Sequence, residues 1–306
     1  MACQSNSKYL KEFLIINRLV SVAVSKRMKK IYSKSKNVFY NVTPTKKLTP
    51  YEKHGRVWLK RDDYFKPFKD FPITGGKVRQ CINLIESHLE YITEECDGTV
   101  GTASSVHSPQ SVIVSRVAKH FNLKSFIGVG NTSLDKCLRT HKTLRIASEL
   151  GSEIIVLCET QAFANVLNSR MRKLREERKF MEIDFGFQAK THRDAILDSN
   201  ARQVENMPEN ITTLIVPVGS AVSFCGILKG ILDTGRDVRV VALQPFGYDR
   251  RPYINTIVDC SPLYGNMYDY YMGEYDYRKA MVYDCGNVEL DTIYDCLLYT
   301  SDAADE

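Results

Sequence analysis

The sequence has no C-x-x-C pair, no G-x-G-x-x-G run and no long uninterrupted apolar segment, and each absence excludes a class of protein. Nine cysteines without paired spacing predict neither a zinc site nor a disulfide framework, and they favour a reducing, cytoplasmic setting. Without a glycine fingerprint after the first strand, a dinucleotide-binding site is not expected. The apolar stretch 13–24 is interrupted by Asn17 and Arg18, so neither a membrane span nor a signal peptide is predicted.

Positive charge is concentrated near the N-terminus. Residues 1–40 contain nine Lys or Arg and one acidic residue, Glu12, so their net charge is +8, whereas the whole chain carries +6. The basicity therefore belongs to an N-terminal extension, which is predicted to be poorly ordered or helical. Its run 25–30 could contact nucleic acid or an anionic surface, but such a run is also typical of a solvated tail.

From residue 41 onward, short apolar runs alternate with helical patterns. The chain has 306 residues, 43% of them hydrophobic and 25% charged, which is enough to bury a sizeable core in two lobes. The predicted strands are 57–60, 99–103, 125–129, 153–158, 213–218 and 238–244, and the predicted helices are 77–95, 109–121, 134–150, 161–180, 191–206 and 222–233. This alternation favours an α/β fold with parallel sheets, in which ligands bind at the carboxyl ends of strands. The tyrosine-rich residues 259–284 are predicted to be irregular.

Lys77 follows two glycines at the predicted start of a helix. Apolar residues recur after it at helical spacing, at positions 78, 81, 82, 85, 89 and 92. Such a stripe packs inward, so the first turn is held at a cleft and the amine is presented there. The alternative for an isolated Gly-Gly-Lys is a solvated lysine after a turn, so the interpretation depends on other segments.

Two other segments place hydroxyl groups and backbone donors at strand-to-helix junctions. Ser104 to Gln110 follow the strand 99–103, and Gly219 to Ser223 follow the strand 213–218. Helix N-termini present unpaired N–H groups, so a glycine and two serines there can bind a phosphate. Serine at a helix N-terminus is also common for purely structural reasons.

Five segments in order carry a family resemblance. They are K-R-D-D at 60–63, G-G-K-V-R at 75–79, the loop 104–110, P-V-G-S at 217–220 and L-D-T-I-Y-D at 290–295. Together they resemble the pyridoxal-phosphate-dependent enzymes of the tryptophan synthase β-like fold (fold type II), nearest the 1-aminocyclopropane-1-carboxylate deaminase and D-cysteine desulfhydrase group. The resemblance implies two open parallel-sheet α/β lobes with the cofactor cleft between them. The larger lobe would comprise 41–84 and 186–295, and the smaller one 85–185.

The resemblance also implies roles for individual residues. Lys77 would hold the pyridoxal aldehyde covalently and move the substrate's α-proton. Gly219, Ser220 and Ser223 would bind the cofactor phosphate. Ser104 and Gln110 are further cofactor-binding candidates.

The loop 104–110 would bind the substrate carboxylate, and Ser105, His107 and Ser108 are its catalytic candidates. One register aligns His107 with an asparagine that contacts the pyridine hydroxyl, and another aligns Ser108 with a catalytic serine, so both alternatives stay open. Tyr294 would line the site. Asp295 would keep the pyridine nitrogen protonated, which stabilises a carbanion.

Three hypotheses of function follow. The first is a pyridoxal-phosphate-dependent deaminase or lyase that acts on a small amino acid, with a homodimer expected. The chain departs from the family pattern because G-G-K lacks an intervening Asn and the phosphate turn lacks a second glycine. The second hypothesis therefore retains the cofactor but takes as substrate an amino-acid-decorated nucleobase in viral DNA. The third is a non-catalytic α/β binding protein.

The last eleven residues, Cys296 to Glu306, resemble the translation of a sequencing-library adapter. Such a segment would be foreign to the fold. It predicts that the natural chain is truncated within its last motif. It also predicts that the native residue at 295 is Glu or Asp, since the adapter supplies the third base of that codon.

Overall fold

The computed structural model describes residues 48–69, 71, 73–130, 133–160, 162, 164–188, 191–244, 248–258 and 268–272. The chain divides into two compact units, 1–44 and 45–306, and all described residues belong to the second. The basic extension, Tyr294, Asp295 and the adapter-like segment lie outside the described residues.

Strands and helices alternate along most of the described chain. The strands are β1 (Tyr51–His54), β2 (Val57–Lys60), β3 (Thr99–Ala103), β4 (Lys124–Gly130), β5 (Glu153–Cys158), β6 (Met181–Ile183), β7 (Thr213–Pro217), β8 (Arg239–Gln244) and β9 (Tyr268–Met272). The α-helices are α1 (Gly76–Ser87), α2 (Leu89–Glu95), α3 (Gln110–His120), α4 (Leu134–Thr140), α5 (Lys142–Glu149), α6 (Ala164–Glu177), α7 (Arg193–Ala201), α8 (Val222–Thr234) and α9 (Arg251–Ile257).

All six predicted strands are present, with ends that differ by at most one residue. Two predicted helices are each divided, 77–95 at His88 and 134–150 at His141. His141 has φ −112° and ψ 106°, an extended conformation that ends one helix and starts the next, and the apolar periodicity continues across it. The region predicted to be irregular contains β9, which takes its place in a sheet through backbone pairing that a local pattern does not reveal.

The two larger sheets are entirely parallel, which confirms the predicted α/β class. One has the strand order β5-β4-β3-β6 and the other β7-β8-β9. Strand β2 was predicted as part of a parallel sheet, and this was wrong: it pairs antiparallel with β1 across a turn at Gly55. A turn of two residues can connect only antiparallel strands.

The four-stranded sheet is covered on both faces. Consecutive residues of β4 point to opposite sides, so Ile127 belongs to the main hydrophobic core and Phe126 to a smaller core with Leu167 and Met171 of α6. Gly101 in β3 makes room for the Phe126 ring, because a Cβ at that position would lie 2.1 Å from a ring carbon. Helix α6 therefore covers the face opposite the main core.

Helix α7 packs between α1 and α8. Helices α7 and α8 approach each other closely because two glycines of α8 face α7. A Cβ at Gly226 would lie 2.6 Å from the Cβ of Asn200, and a Cβ at Gly230 would lie 2.3 Å from the carbonyl oxygen of Ala201. The position of the N-terminus of α8 relative to α1 therefore depends on this close crossing.

Two classes of feature are missing from the part of the chain that the structure describes. No described helix is long and apolar enough to cross a bilayer. No three described His, Cys, Asp or Glu side chains gather into a group that could hold a metal ion.

We expect Gly230→Ala to destabilise the protein by about 1–3 kcal/mol, because the added methyl group would overlap the backbone of α7. Helix propensity alone would favour alanine by about 1 kcal/mol, so a loss would demonstrate crowding. Urea unfolding measures the difference, with the exposed Asp233→Ala in the same helix as control. A more stable Gly230→Ala variant would contradict the close crossing.

Candidate active site

Lys77 lies in the first turn of α1, and its position depends on the two preceding glycines. Gly75 has φ +93°, a conformation that favours glycine, and its N–H donates to the carbonyl oxygen of Phe65 at 3.2 Å. A Cβ at Gly76 would lie 3.3 Å from a carboxylate oxygen of Asp62. Lys77 itself is half-buried. The double glycine thus allows a tight entry into the helix that carries this lysine.

An ion pair between the buried Arg79 and the half-buried Asp62 anchors the same helix. The guanidinium of Arg79 donates two hydrogen bonds to the Asp62 carboxylate, at 3.1 and 2.7 Å, and Thr49 Oγ1 donates a third at 2.9 Å. Burial by itself would raise the pKa of Asp62, but Arg79 and Thr49 outweigh it and hold that pKa below its usual range. The arginine is fully buried and lies 4.6 Å from the centre of the Phe65 ring. The family-like motif at 60–63 therefore supports the start of α1.

Lys60 is bound to the scaffold. Its ammonium donates to the carbonyl oxygen of Thr49 at 2.7 Å and to Asn206 Oδ1 at 2.8 Å. Burial lowers the pKa of Lys60 to about 8, although Asp62 acts in the opposite direction. These contacts give Lys60 a structural role, which distinguishes it from Lys77.

One hydrogen bond joins the lysine helix to the predicted phosphate turn. Gln80 lies one turn after Lys77, and its Nε2 donates to Ser223 Oγ at 3.1 Å. Residues three apart lie on the same side of a helix, so Lys77 and Gln80 face in similar directions. The bond links two segments 143 residues apart in the chain.

The turn after β7 ends in the N-terminus of α8. Ala221 has φ +69°, an uncommon left-handed conformation for a residue with a side chain. No side chain caps this helix, and its first turn contains no acidic residue. The first N–H groups of the helix and the hydroxyls of Ser220 and Ser223 therefore form a donor set suited to an anion.

Gly219 lies in the same turn, and the side chain of Arg250, from the connection after β8, contacts it. Nε of Arg250 donates to the carbonyl oxygen of Gly219 at 3.1 Å. Gly219, Ser220 and Arg250 are all half-buried. The phosphate turn thus has a basic side chain attached to its backbone.

The loop 104–110 follows β3, at the carboxyl end of the strand as predicted. Ser104 and Ser108 are buried, and their hydroxyls bond locally: Ser104 Oγ donates to the carbonyl oxygen of Ser105 at 3.0 Å, and Ser108 Oγ accepts from the N–H of Gln110 at 3.2 Å. Ser105 is half-buried. Of the three serines, Ser105 has the greatest access to a ligand.

Gln110 connects this loop to the segment after β6. Its Nε2 donates to Thr102 Oγ1 at 2.7 Å and to the carbonyl oxygen of Asp184 at 2.9 Å, and its Oε1 accepts from the N–H of Gly186 at 2.7 Å. The side chain is therefore engaged with the scaffold at both ends. A direct contact between Gln110 and a cofactor stays a prediction.

His107 is exposed and lies against the junction between α4 and α5. Its ring packs edge to face against His141, with 4.8 Å between ring centroids, and Thr143 Oγ1 donates to the carbonyl oxygen of Val106 at 2.6 Å. Burial, followed by the nearby His107 and Lys136, lowers the pKa of His141. The loop therefore lies beside a histidine- and lysine-bearing surface.

A cavity of about 280 Å³ lies at the opposite end of α1 from Lys77. His192 Nδ1 and His88 Nε2 face each other across 3.0 Å at its wall, and burial followed by His88 lowers the pKa of His192. A helix rises 1.5 Å per residue, so the cavity is on the order of 15 Å from the lysine. It is separate from the predicted site.

Two contacts of this site were not predicted from the sequence, Gln80 with Ser223 and Arg250 with Gly219. The three-residue spacing from Lys77 was a usable signal for Gln80. Arg250 carried no such signal, because its contact depends on which strands are neighbours. The roles of the predicted residues, including Tyr294 and Asp295 outside the described part, stay predictions.

No protein-family model matches the chain. A crystal structure of an ACC deaminase homologue superposes with a TM-score of 0.55 at 18% identity, covering 81% of this chain and 79% of that one. The processed form of threonine deaminase isoform 2 from Solanum lycopersicum has a TM-score of 0.48 at 14% identity, covering 72% of this chain and 52% of that one. The fold is that of the pyridoxal-phosphate-dependent enzymes of fold type II, the tryptophan synthase β-like class, as the sequence predicted. The cofactor that the sequence resemblance implies for this fold is pyridoxal phosphate.

A curated relative is more similar in sequence. Over 274 residues the chain is 28% identical to the O-seryl-dTMP PLP-dependent decarboxylase of Salmonella phage ViI. The alignment covers 79% of this chain and 62% of the relative, so the chain spans less than two thirds of that protein's length.

The donor set fits pyridoxal phosphate. The N-terminus of α8 has no acidic residue in its first turn and has two serine hydroxyls beside it, so it suits the phosphate. The half-buried Lys77 lies on α1, the helix that is hydrogen-bonded to that turn. These are the two attachment points that such a cofactor needs.

We expect Lys77→Ala to abolish borohydride-dependent labelling of the protein by pyridoxal phosphate and to leave the melting temperature nearly unchanged, because the side chain is only half-buried. Peptide mapping after reduction identifies the labelled residue in the unaltered protein. Lys119→Ala, an exposed lysine of α3, is the control and should be labelled normally. Labelling of Lys60 or Lys119 in the unaltered protein would contradict the assignment.

Proposed function

We propose that the protein is a pyridoxal-phosphate-dependent enzyme that uses Lys77 to hold the cofactor and the turn 219–223 to hold its phosphate. The hydrogen bond from Gln80 to Ser223 is the observation that carries this proposal, because it brings the two required segments together. When bound, the cofactor supplies an electron-withdrawing ring that stabilises negative charge at the substrate's Cα.

The chain's own residues then have distinct tasks. Lys77 Nζ moves a proton at Cα. Backbone donors and the Ser105 hydroxyl at the loop 104–110 are suited to the substrate carboxylate. Gln110 keeps that loop in place through its three hydrogen bonds.

For the substrate, we propose an amino acid carried on a thymidine nucleotide, and for the reaction, decarboxylation. The similarity to the phage decarboxylase, over 274 residues, supports this reading of the sequence. In the reaction the bond from Cα to the carboxylate carbon breaks, CO₂ leaves, and Cα takes a proton. The phosphates of a nucleotide could also bind the cationic surface beside His107.

That surface lies on α4 and α5, next to the loop. Lys136, Arg139, Lys142 and Arg145 are all exposed, and the one acidic residue of α4, Asp135, pairs with Arg139. Lys136 is near enough to His141 to influence its pKa. Exposed lysines and arginines beside a substrate loop suit the phosphates of a nucleic acid.

A free small amino acid is the second candidate substrate, with deamination or elimination as the reaction. The order of motifs resembling the ACC deaminase and D-cysteine desulfhydrase group favours it. Under this alternative the cationic surface has no part in substrate binding.

Substrate comparison separates the two candidates. We expect O-seryl-dTMP within an oligonucleotide to be turned over with a kcat/KM at least roughly tenfold above that for free serine, because contacts remote from Cα add binding energy. Mass spectrometry of the nucleotide detects loss of CO₂, and a ketoacid assay detects deamination. Ketoacid release from free amino acids with no change to the oligonucleotide would favour the second candidate instead.

We expect the double variant Lys136→Ala/Lys142→Ala to bind single-stranded DNA more weakly. The negative slope of log affinity against log salt should become less steep by about 1–2, since each lost phosphate contact removes roughly 0.7 from its magnitude. Fluorescence anisotropy at several salt concentrations gives this slope. The control is Lys173→Ala/Lys179→Ala, which removes the same charge from exposed positions at and near α6. Equal effects of both double variants would show that only overall charge matters.

A further inference from the structure

Arg250 lies where two neighbouring strand connections meet. Strands β7 and β8 are parallel neighbours, with Pro217 opposite Leu243 near their carboxyl ends. The connection after β7 contains the phosphate turn, and the connection after β8 leads to Arg250. Nε of Arg250 donates to the carbonyl oxygen of Gly219 at 3.1 Å, so the two connections are directly bonded.

A hydrogen-bond network fixes the backbone of Arg250. Its N–H donates to Tyr270 Oη at 3.2 Å, and that hydroxyl donates to Gln244 Oε1. Gln244 is buried, and its Nε2 donates to the carbonyl oxygen of Tyr248 at 2.8 Å. The side chains of two adjacent strands thus hold residues 248–250 against the sheet. An arginine held in this way loses little further freedom when it meets an anion.

The local charges favour an anion at the turn. The first turn of α8 contains no acidic residue. The nearby carboxylate of Asp249 is engaged by Arg251, which donates to it from Nε and from a terminal nitrogen at 2.6 Å. A phosphate monoester carries a charge of about −1.5 to −2 at neutral pH, so N–H and hydroxyl donors alone leave most of it unbalanced.

We propose that Arg250 is a positioning residue for the cofactor phosphate: it holds the turn through Gly219 and places a positive charge beside the phosphate. This inference rests on the proposed cofactor site. It offers a reason for the missing second glycine, because a charged side chain replaces part of the backbone contact that a glycine turn would make. It also predicts that the contribution of Arg250 depends on the phosphate group and not on the pyridine ring.

The test compares pyridoxal phosphate with pyridoxal, which has the same ring and aldehyde but no phosphate. We expect Arg250→Gln to weaken binding of pyridoxal phosphate to the apoprotein by roughly 10- to 100-fold, the range for a hydrogen bond to a charged group, and to leave pyridoxal binding unchanged. Absorbance titration measures both affinities without any assay of activity. Arg250→Lys, which retains the charge, should lose less than Arg250→Gln.

Arg239→Gln is the control, since it removes an exposed guanidinium, paired with Asp269, from the opposite end of β8. It should leave both affinities unchanged. If Arg250→Gln lowers the melting temperature of the apoprotein, Arg250→Met, which keeps the apolar stem, supplies the same comparison.

Three results would overturn the inference: equal weakening of the binding of both compounds, no weakening of either, or an equal loss in the Arg239→Gln variant. If the unaltered protein bound neither compound, the proposed cofactor site itself would fail, and the inference with it. If the unaltered protein binds pyridoxal phosphate and Arg250→Gln leaves the ratio of the pyridoxal phosphate and pyridoxal affinities unchanged, only the role of Arg250 fails.

Discussion

The close packing of α7 between α1 and α8 is the constraint on which the candidate site depends. Glycines at 226 and 230 let α8 approach the backbone of α7 more closely than any side chain would permit. This approach brings Ser223 within hydrogen-bonding distance of Gln80, one turn from Lys77. The hydrogen bond alone contributes about 1 kcal/mol, so the packing must determine the geometry and the bond must refine it.

Charge is arranged differently on the two sides of Lys77. On one side, the fully buried Arg79 pairs with Asp62 through two hydrogen bonds, so its charge supports the helix and is not offered to a ligand. On the other, the phosphate turn has donors without an acid and has Arg250 attached to its backbone. Removing Asp62 would leave the buried Arg79 charge uncompensated, so the pair holds the start of α1, and with it Lys77, in one place.

The proposed substrate side of the site combines two kinds of surface. The loop 104–110 has most of its hydroxyls turned inward, with Gln110 securing it to the segment after β6. Beyond it, His107 and His141 lead to the exposed lysines and arginines of α4 and α5. Exposed cationic side chains beside this loop suit a polyanionic carrier, which agrees with the proposed nucleotide-borne amino acid.

The sequence by itself determined the class of fold, the positions of six of the nine strands that the structure describes and the loops at their ends, because strand length, apolar spacing and turn residues are local properties. It also indicated Lys77 and the turn 219–223. Only the tertiary structure decided that His88 and His141 divide helices, that β9 extends a sheet, and that Gln80 and Arg250 meet the phosphate turn. The contacts of Arg250 and Gln80 join residues 31 and 143 positions apart, which local periodicity does not encode. The physical reason is that strand neighbours and helix crossings follow from how the whole core packs, and the same local pattern is compatible with several such packings.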